Sequence, residues 1–248
     1  MIEERERYCR DVLRTARAAV LRDAEALPEM LFALERVGAV MTGKLGTLKN
    51  YKVELTEVGS RSPLALQVPS QHPALHVTFD TLYNLVLLAR NEAMHQGAYA
   101  RHLAQHAVEL SLILEDAFMS RSNCISDYMV KSPICAEPWQ PVSLVRQQML
   151  TNSFSFLPVL LDGDDWMLIS DYGLAKLLRT APGERAERLN ATLEKAKKEF
   201  GLELLEPIRA GQNTSVSDLL LLASADGRPI LVTEAKRLLG IATPYDLL

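Results

Sequence analysis

The sequence predicts an α+β protein in which an all-helical bundle is followed by a small unit of strands and helices that occurs twice. Apolar residues recur at helical spacing before Ser120. After Ser120, short β-rich runs alternate with helical segments, and the order of these segments is repeated. The chain has 248 residues, enough for two domains of ordinary size. We predict a helical domain over residues 1–120 and a repeated domain over residues 121–248.

The apolar pattern of the first half predicts helices over residues 2–23, 28–42, 78–89 and 99–120. The segment 51–73 contains Gly, Ser and three prolines, and it predicts a loop. The last helix has an apolar stripe of the kind that faces a core, formed by Leu103, Ala107, Leu110, Leu114 and Ala117. The first half is therefore predicted to be an all-helical domain of four or more helices.

The second half is predicted to contain two copies of the order β-α-β-β-α. Repeat one spans about 121–180 and repeat two about 204–248, and the charged segment of about 181–203 between them predicts a solvated helix. In each copy a proline begins the middle strand and a hydroxyl residue ends the last strand. These residues are Pro158 and Ser170 in repeat one, and Pro229 and Thr243 in repeat two.

The end of repeat two, GIATPYDLL over residues 240–248, carries the most specific motif of the second half. It has Gly240, two apolar or small residues, Thr243, two further residues and Asp246. This pattern resembles the last strand of CBS domains, which occur as pairs called Bateman modules. The resemblance covers about half of the chain and implies a regulatory adenine nucleotide (AMP, ADP or ATP). It implies that the Thr243 hydroxyl meets a phosphate and that the Asp246 carboxylate binds the ribose hydroxyls.

The residue types at this junction suit that chemistry. A strand-to-helix junction offers free backbone N–H groups and a positive dipole end, which favour an anion. Pro244 suits a first helical turn, where no N–H is needed. A carboxylate one turn later can accept two hydrogen bonds from a diol. The alternative is that Thr243 is only the N-cap of the last helix.

Repeat one departs from this pattern. Ser170 matches the hydroxyl position, but Gly173 stands where the aspartate is expected, and Asp171 is displaced by two residues. We therefore expect one competent site and one degenerate or empty site. The resemblance also suggests four apolar residues that would hold the base, namely Ile134, Val159, Ile208 and Val232.

The helical half contains a second group of residues with chemical potential. Arg90, Asn91 and His95 form an R-x4-H pattern before Gly97, which resembles the motif of the HEPN superfamily of helical domains. The resemblance implies a metal-independent endoribonuclease with a cleft shared between two subunits. His95 would act as base or acid, Arg90 would bind the phosphate, and Asn91 would orient either the phosphate or His95.

Simpler interpretations of these residues stand beside that hypothesis. Arg90 would pair with Glu92 or Asp80, and His95 would lie at a helix end. His102 and His106 form HxxxH, but the residues between them are not acidic, so no metal site is expected.

The bulk composition limits the functional classes. A net charge of -4 excludes a broad basic surface for nucleic acid, and three scattered cysteines favour a reducing compartment. We predict a cytoplasmic, homodimeric regulator that contacts itself through both domains, does not enter a membrane and requires no cofactor. Its nucleotide-binding pair would control a helical effector acting on RNA. The alternative is a non-enzymatic nucleotide sensor or interaction scaffold.

Overall fold

The computed structural model describes residues 4–93, 100–161, 165–223 and 227–248; for residues 24, 89–93, 100–102 and 223 it describes the backbone alone. The chain divides into two compact units, Met1–Ser122 and Asn123–Leu248. The predicted fold class is confirmed, since the first unit is helical and the second combines helices with strands. No helix in the described ranges has the length and apolar character needed to cross a membrane.

Most of the described residues of the first unit are helical. Their bounds are α1 Glu4–Arg22, α2 Leu27–Thr42, α3 Leu48–Gly59, α4 Gln67–Gln71, α5 Phe79–Ala93 and α6 Ala100–Met119. The predicted stripe on α6 is confirmed, because all five of its residues are buried in the core of this unit. A polar contact joins α1 to α6, where Arg17 forms two hydrogen bonds with the buried carboxylate of Glu115 at 2.9 and 2.8 Å.

The predicted loop over residues 51–73 is wrong, because most of it is helical. Two of its three prolines misled the prediction, since they lie in first helical turns, where a missing N–H costs little. Pro63 opens the 3₁₀ turn Pro63–Ala65, which Ser62 caps by accepting a hydrogen bond from the Leu64 amide at 3.1 Å. Pro69 likewise lies in the first turn of α4.

The second unit contains two sheets and their flanking helices. The elements are β1 Val130–Lys131, α7 Val142–Asn152, β2 Phe156–Val159, β3 Met167–Ser170, α8 Asp171–Leu178, α9 Pro182–Asn190, α10 Leu193–Phe200, β4 Ile208–Ala210, α11 Val216–Ala223, β5 Ile230–Glu234 and β6 Arg237–Ala242. One sheet has the order β1-β6-β5-β4, with β4 parallel to β5 and the other neighbours antiparallel. The other sheet pairs β2 with β3 in antiparallel fashion.

The strand register shows which residues of the two repeats are equivalent. Ala136 forms a parallel bridge with Val159, just as Ala210 pairs with Val232. The hairpins also match, because Leu157 lies opposite Ile169 as Ile230 lies opposite Ala242. Counting along the strands from these pairs makes Ser170 equivalent to Thr243 and Gly173 equivalent to Asp246.

The two prolines of the predicted repeat are not equivalent. In the same register Pro158 corresponds to Leu231, whereas Pro229 corresponds to Phe156. Each proline lies near the start of a middle strand, but the two positions differ by two residues. This offset matches the spacing from proline to hydroxyl residue, which is 12 residues in repeat one and 14 in repeat two.

The segments that precede the two repeats are exchanged between them. Ile125 lies within the first residues of the range predicted for repeat one, but it is buried in the core of repeat two. Repeat one is therefore counted from Ser132. Leu193 and Ala196, ahead of repeat two, are buried in the core of repeat one. The two repeats are therefore interlocked, because each supplies part of the core of the other.

Two helical predictions for this unit need correction. The charged linker is two helices, α9 and α10, and α10 is not simply solvated because its apolar residues complete a core. Thr192 begins α10 by accepting a hydrogen bond from the Lys195 amide at 3.2 Å. The predicted last helix of repeat two is a single 3₁₀ turn, Pro244–Leu247.

Candidate ligand-binding site

The candidate site lies where β6 ends and the 3₁₀ turn Pro244–Leu247 begins. Strand β6 is held on both sides, by β5 along its length and by β1 at Ile241 and Gly240. Gly240 has a packing role, since an added Cβ would lie 2.5 Å from Sδ of Met129 and 2.9 Å from the Val130 carbonyl oxygen. The glycine of the motif therefore allows the segment before repeat one to approach β6 closely.

Thr243 and Asp246 form a compact hydrogen-bonded pair. The Thr243 amide donates to Oδ2 of Asp246 at 2.7 Å, and the Thr243 hydroxyl donates to the same oxygen at 2.8 Å. The Asp246 amide in turn donates to the Thr243 carbonyl at 3.0 Å. Asp246 Oδ1 has no hydrogen bond to any residue that the structure describes. The predicted phosphate-binding and ribose-binding groups are thus brought together, and they bind each other.

The turn that follows Thr243 is too short to provide the positive dipole end predicted for this junction. The macrodipole of a helix depends on several aligned peptide units, and the turn after Thr243 contains four residues. A ligand there would depend on the Thr243 and Asp246 side chains themselves.

The equivalent position in repeat one is built differently. Ser170 is buried, and its hydroxyl accepts a hydrogen bond from the Gly173 amide at 2.9 Å, which caps α8. An added Cβ at Gly173 would lie 3.1 Å from the Glu203 carbonyl oxygen. The aspartate missing from repeat one would therefore be crowded by the chain that leads into repeat two.

The four residues expected to hold a base fall into two groups. Val159 and Val232 are fully buried in the cores of repeat one and repeat two. These two side chains have no exposed surface and pack within the cores, and their contact with a base stays a prediction. Ile134 is 46% exposed and Ile208 is partly buried, which leaves both as candidate contacts.

Cys135, which lies between β1 and α7, is poorly suited to thiol chemistry. Its Sγ lies 3.3 Å from the Pro133 carbonyl oxygen. Burial, together with the charge of Glu137, raises the pKa of the thiol above its usual value. A raised pKa lowers the fraction of thiolate, which is the reactive form.

The proposed catalytic trio of the helical unit is not described by the structure at the level of side chains. The backbones of Arg90 and Asn91 lie near the end of α5, and His95 is outside the described residues. Asp80, the alternative partner of Arg90, forms an ion pair with Lys52 at 2.6 Å and accepts a hydrogen bond from Asn84 at 3.1 Å. Its carboxylate is therefore already engaged, and these contacts lower its pKa.

The two histidines of the HxxxH pattern give little further chemistry. The side chain of His102 is outside the described residues, and His106 Nδ1 lies 3.9 Å from Oε2 of Glu109. Within the described ranges, no three His, Cys, Asp or Glu side chains are grouped as a metal site would require.

Two neighbours of the candidate site were not predicted from the sequence. Met129 packs on Gly240, and Glu203 crowds Gly173. Both belong to the exchanged segments. Met129 precedes repeat one in the chain but contacts repeat two, and Glu203 precedes repeat two but contacts repeat one. Short motifs do not report such long-range contacts.

Comparison with solved structures finds partial similarities in proteins of low sequence identity. They include a proposed archaeal homologue of g-AMPK from Methanocaldococcus jannaschii, which is 23% identical over 50% of this chain and 46% of that chain, with a TM-score of 0.43. A CBS-domain containing protein from Agrobacterium tumefaciens is 15% identical over 50% of this chain and 90% of its own, with a TM-score of 0.40. CBSX2, solved in complex with AMP, is 19% identical over 51% of this chain and 93% of its own, with a TM-score of 0.40.

This chain thus spans less than half the length of the Methanocaldococcus protein. No family model and no curated protein matches the sequence.

Proposed function

We propose that the second unit is a CBS domain pair that binds one adenine nucleotide at the end of repeat two and thereby regulates the helical unit. The observation that carries the proposal is the pairing of Thr243 with Asp246, whose hydroxyl and carboxylate oxygens are 2.8 Å apart. The interlocked βαββα repeats supply the frame for this pair. The equivalent residues of repeat one lack the carboxylate, which favours a single site.

The chemistry of binding follows from the ligand-free hydrogen bonds. Both donors of Thr243 now serve the Asp246 carboxylate. A nucleotide would replace this arrangement, since its phosphate accepts from the Thr243 donors while its ribose hydroxyls donate to Asp246. A ligand that carries both a phosphate and a ribose replaces the hydrogen bonds of both residues, whereas a bare phosphate would be repelled by the negative charge of Asp246. We therefore propose selectivity for ribonucleotides over simple phosphates.

Calorimetric titration with AMP, ADP and ATP tests the proposal. AMP is the first nucleotide to try, because CBSX2 was solved with it. We expect one site per chain and a loss of at least tenfold in affinity in Asp246→Ala, in line with the loss of charge-assisted hydrogen bonds. Asp171→Ala is the matched control, because it removes an exposed carboxylate from the corresponding turn of repeat one.

Asp246→Ala and Asp171→Ala should differ clearly in their affinity for the nucleotide. Equal affinity of wild type and Asp246→Ala would remove the site from this junction, and absence of binding by all three nucleotides would end the nucleotide hypothesis. The same comparison can be made with AMP that lacks both ribose hydroxyls. If Asp246→Ala weakens the binding of this ligand less than it weakens the binding of AMP, the ribose is the partner of the carboxylate.

We propose that the helical unit is the regulated part. Its HEPN-like ribonuclease activity through Arg90, Asn91 and His95 remains a prediction, beside the alternative of an interaction scaffold. Structured RNA incubated with wild type and His95→Ala, with and without AMP, distinguishes the two. Cleavage that requires His95 supports the enzyme, and intact RNA in every condition supports the scaffold.

A further inference from the structure

The segment Asn123–Lys131 follows the helical unit in the sequence and precedes repeat one, yet it is built into repeat two. We call it the connecting segment. Its Asn123 carbonyl accepts a hydrogen bond from the Val216 amide at 2.8 Å, and the Ile125 amide donates to the Thr214 carbonyl at 3.0 Å. The start of α11 is therefore fastened to the connecting segment.

The Asn123 side chain reinforces this attachment. Its Oδ1 accepts hydrogen bonds from the amide and the hydroxyl of Ser217 at 3.2 and 3.1 Å, and its Nδ2 donates to the Ser215 hydroxyl at 3.0 Å. An asparagine that satisfies the first residues of a helix is a capping arrangement made from a distant part of the chain.

The other end of the connecting segment reaches the strand that leads to Thr243. Val130 and Lys131 pair with Ile241 and Gly240 of β6. Between the two ends, Ile125 is fully buried among the core residues of repeat two. Interiors are close-packed, so a shift of one packed element is felt by its neighbours. A change at the end of β6 is therefore passed to the connecting segment through both hydrogen bonds and packing.

A short stretch of chain joins this segment to α6. Helix α6 ends at Met119, and residues 120–122 separate it from Asn123. The four Cα–Cα steps from Met119 to Asn123 can span at most about 14 Å, so a larger displacement of Asn123 would pull on the end of α6. Repeat one begins only after the connecting segment, so the path from α6 along the chain meets repeat two first.

We infer that the connecting segment is the conformational link by which repeat two, and not repeat one, acts on the last helix of the helical unit. This inference rests on the proposed function for the identity of its trigger, a nucleotide in repeat two. The link itself is a property of the packing and is present without ligand. Loosening the core of repeat two should therefore loosen the end of α6, whereas loosening the core of repeat one should not.

Amide hydrogen exchange of the full chain tests the link with two matched variants. Ile230→Ala and Leu157→Ala remove side chains at equivalent positions in the two repeats, 0% and 1% exposed. We expect Ile230→Ala to speed exchange in the last turn of α6 at least tenfold, and Leu157→Ala to change it less than twofold. Equal effects, or no effect of Ile230→Ala, would overturn the link.

A milder pair covers the case in which either core variant fails to fold. Asn123→Ala removes the side-chain bonds to Ser215 and Ser217. Thr192→Ala removes a cap in the corresponding segment between the repeats. Only Asn123→Ala should speed exchange at the end of α6, and a similar effect of Thr192→Ala would contradict the inference.

A nucleotide arm separates this inference from the proposed function. AMP added to the wild-type chain should slow exchange at the end of α6. If AMP does not bind but Ile230→Ala still acts on α6, the proposed function fails and the link stands. If AMP binds by calorimetry but neither AMP nor Ile230→Ala changes exchange at the end of α6, the link is overturned and nucleotide binding by repeat two stands.

Discussion

Ser170 and Thr243 occupy equivalent positions in the two repeats and each caps the turn that follows, but the Thr243 hydroxyl also donates to a carboxylate. The Ser170 hydroxyl accepts from the Gly173 amide at 2.9 Å, whereas the Thr243 hydroxyl donates to the Asp246 carboxylate at 2.8 Å. An ionised carboxylate can only accept, which fixes the direction of the second bond. One residue difference, Gly173 against Asp246, thus gives two similar strand ends different hydrogen-bonding groups.

Introducing the missing carboxylate should not create a second site. In Gly173→Asp the new Cβ would lie 3.1 Å from the Glu203 carbonyl oxygen and from the Ser170 hydroxyl. We expect the free energy of unfolding in urea to fall by about 1–2 kcal/mol, the usual cost of overpacking. Nucleotide stoichiometry should remain one per chain. Gly183→Asp is the control, since no atom lies within 4 Å of an added Cβ there, and a stoichiometry of two in Gly173→Asp would contradict the prediction.

Gly240 should tolerate substitution even less well. In Gly240→Ala the Cβ would lie 2.5 Å from Met129 Sδ and 2.9 Å from the Val130 carbonyl oxygen. The methionine can rotate, but the paired backbone of β1 cannot move without losing the strand. We expect a loss of about 1–3 kcal/mol in the free energy of unfolding.

A double variant makes this test more specific. Gly240→Ala combined with Met129→Ala should recover only part of the loss, because the contact with the Val130 carbonyl remains. Gly183→Ala, on the open surface of α9, should stabilise the chain by up to about 1 kcal/mol through its helix propensity. Full recovery in the double variant would show that the methionine alone requires the glycine.

The parts of this fold that were predictable from sequence are those with local causes. The stripe on α6 and the strand ends at Ser170 and Thr243 follow from residue patterns within a few turns or strand residues. The burial of Leu193 in repeat one and the packing of Met129 on Gly240 depend on exchange between distant segments. The loop predicted over residues 51–73 also hid helix α4, because Pro69 lies in its first turn and does not break it.

The candidate site was partly predictable for the same reason. The spacing of Thr243 and Asp246 predicts their proximity, which the hydrogen bonds describe. It did not predict that Asp246 would take both donors of Thr243, because that requires the conformation of the turn. Nor did alternation along β2 and β5 predict that Val159 and Val232 have no exposed surface.

The predicted homodimer can be tested at the exposed face of α11. Leu220, Leu221 and Leu222 are 44%, 78% and 62% exposed there. The equivalent residues of α7 are polar, Arg146 and Gln147 among them, since Val142 and Val216 begin the two helices in the same hydrogen-bonded position. Exposed apolar clusters of this kind mark interaction surfaces.

Leu220→Arg gives repeat two the residue that repeat one already has. We expect it to raise the dimer dissociation constant at least tenfold in sedimentation equilibrium, because burying an unpaired charge in an apolar contact is unfavourable. Gln147→Arg in α7 adds the same charge to the polar face and should leave association unchanged. If both variants associate like wild type, α11 is not the dimer face.

The alkaline stability of the helical unit should report the burial of Cys9. Burial raises the pKa of its thiol from its usual value of 9.0 to about 11, so the folded state holds this proton more tightly than the unfolded state. The resulting stabilisation is fully present below pH 9 and is lost as the pH rises towards 11, amounting to up to about 3 kcal/mol. Burial also raises the pKa of Tyr83, which adds to the decline at higher pH.

In urea titrations from pH 8 to pH 11, Cys9→Ala should lose stability less steeply than wild type, while Cys124→Ala, at a partly exposed cysteine, should follow the wild-type curve. Identical slopes for Cys9→Ala and wild type would show that the thiol ionises as easily in the folded chain as in the unfolded one.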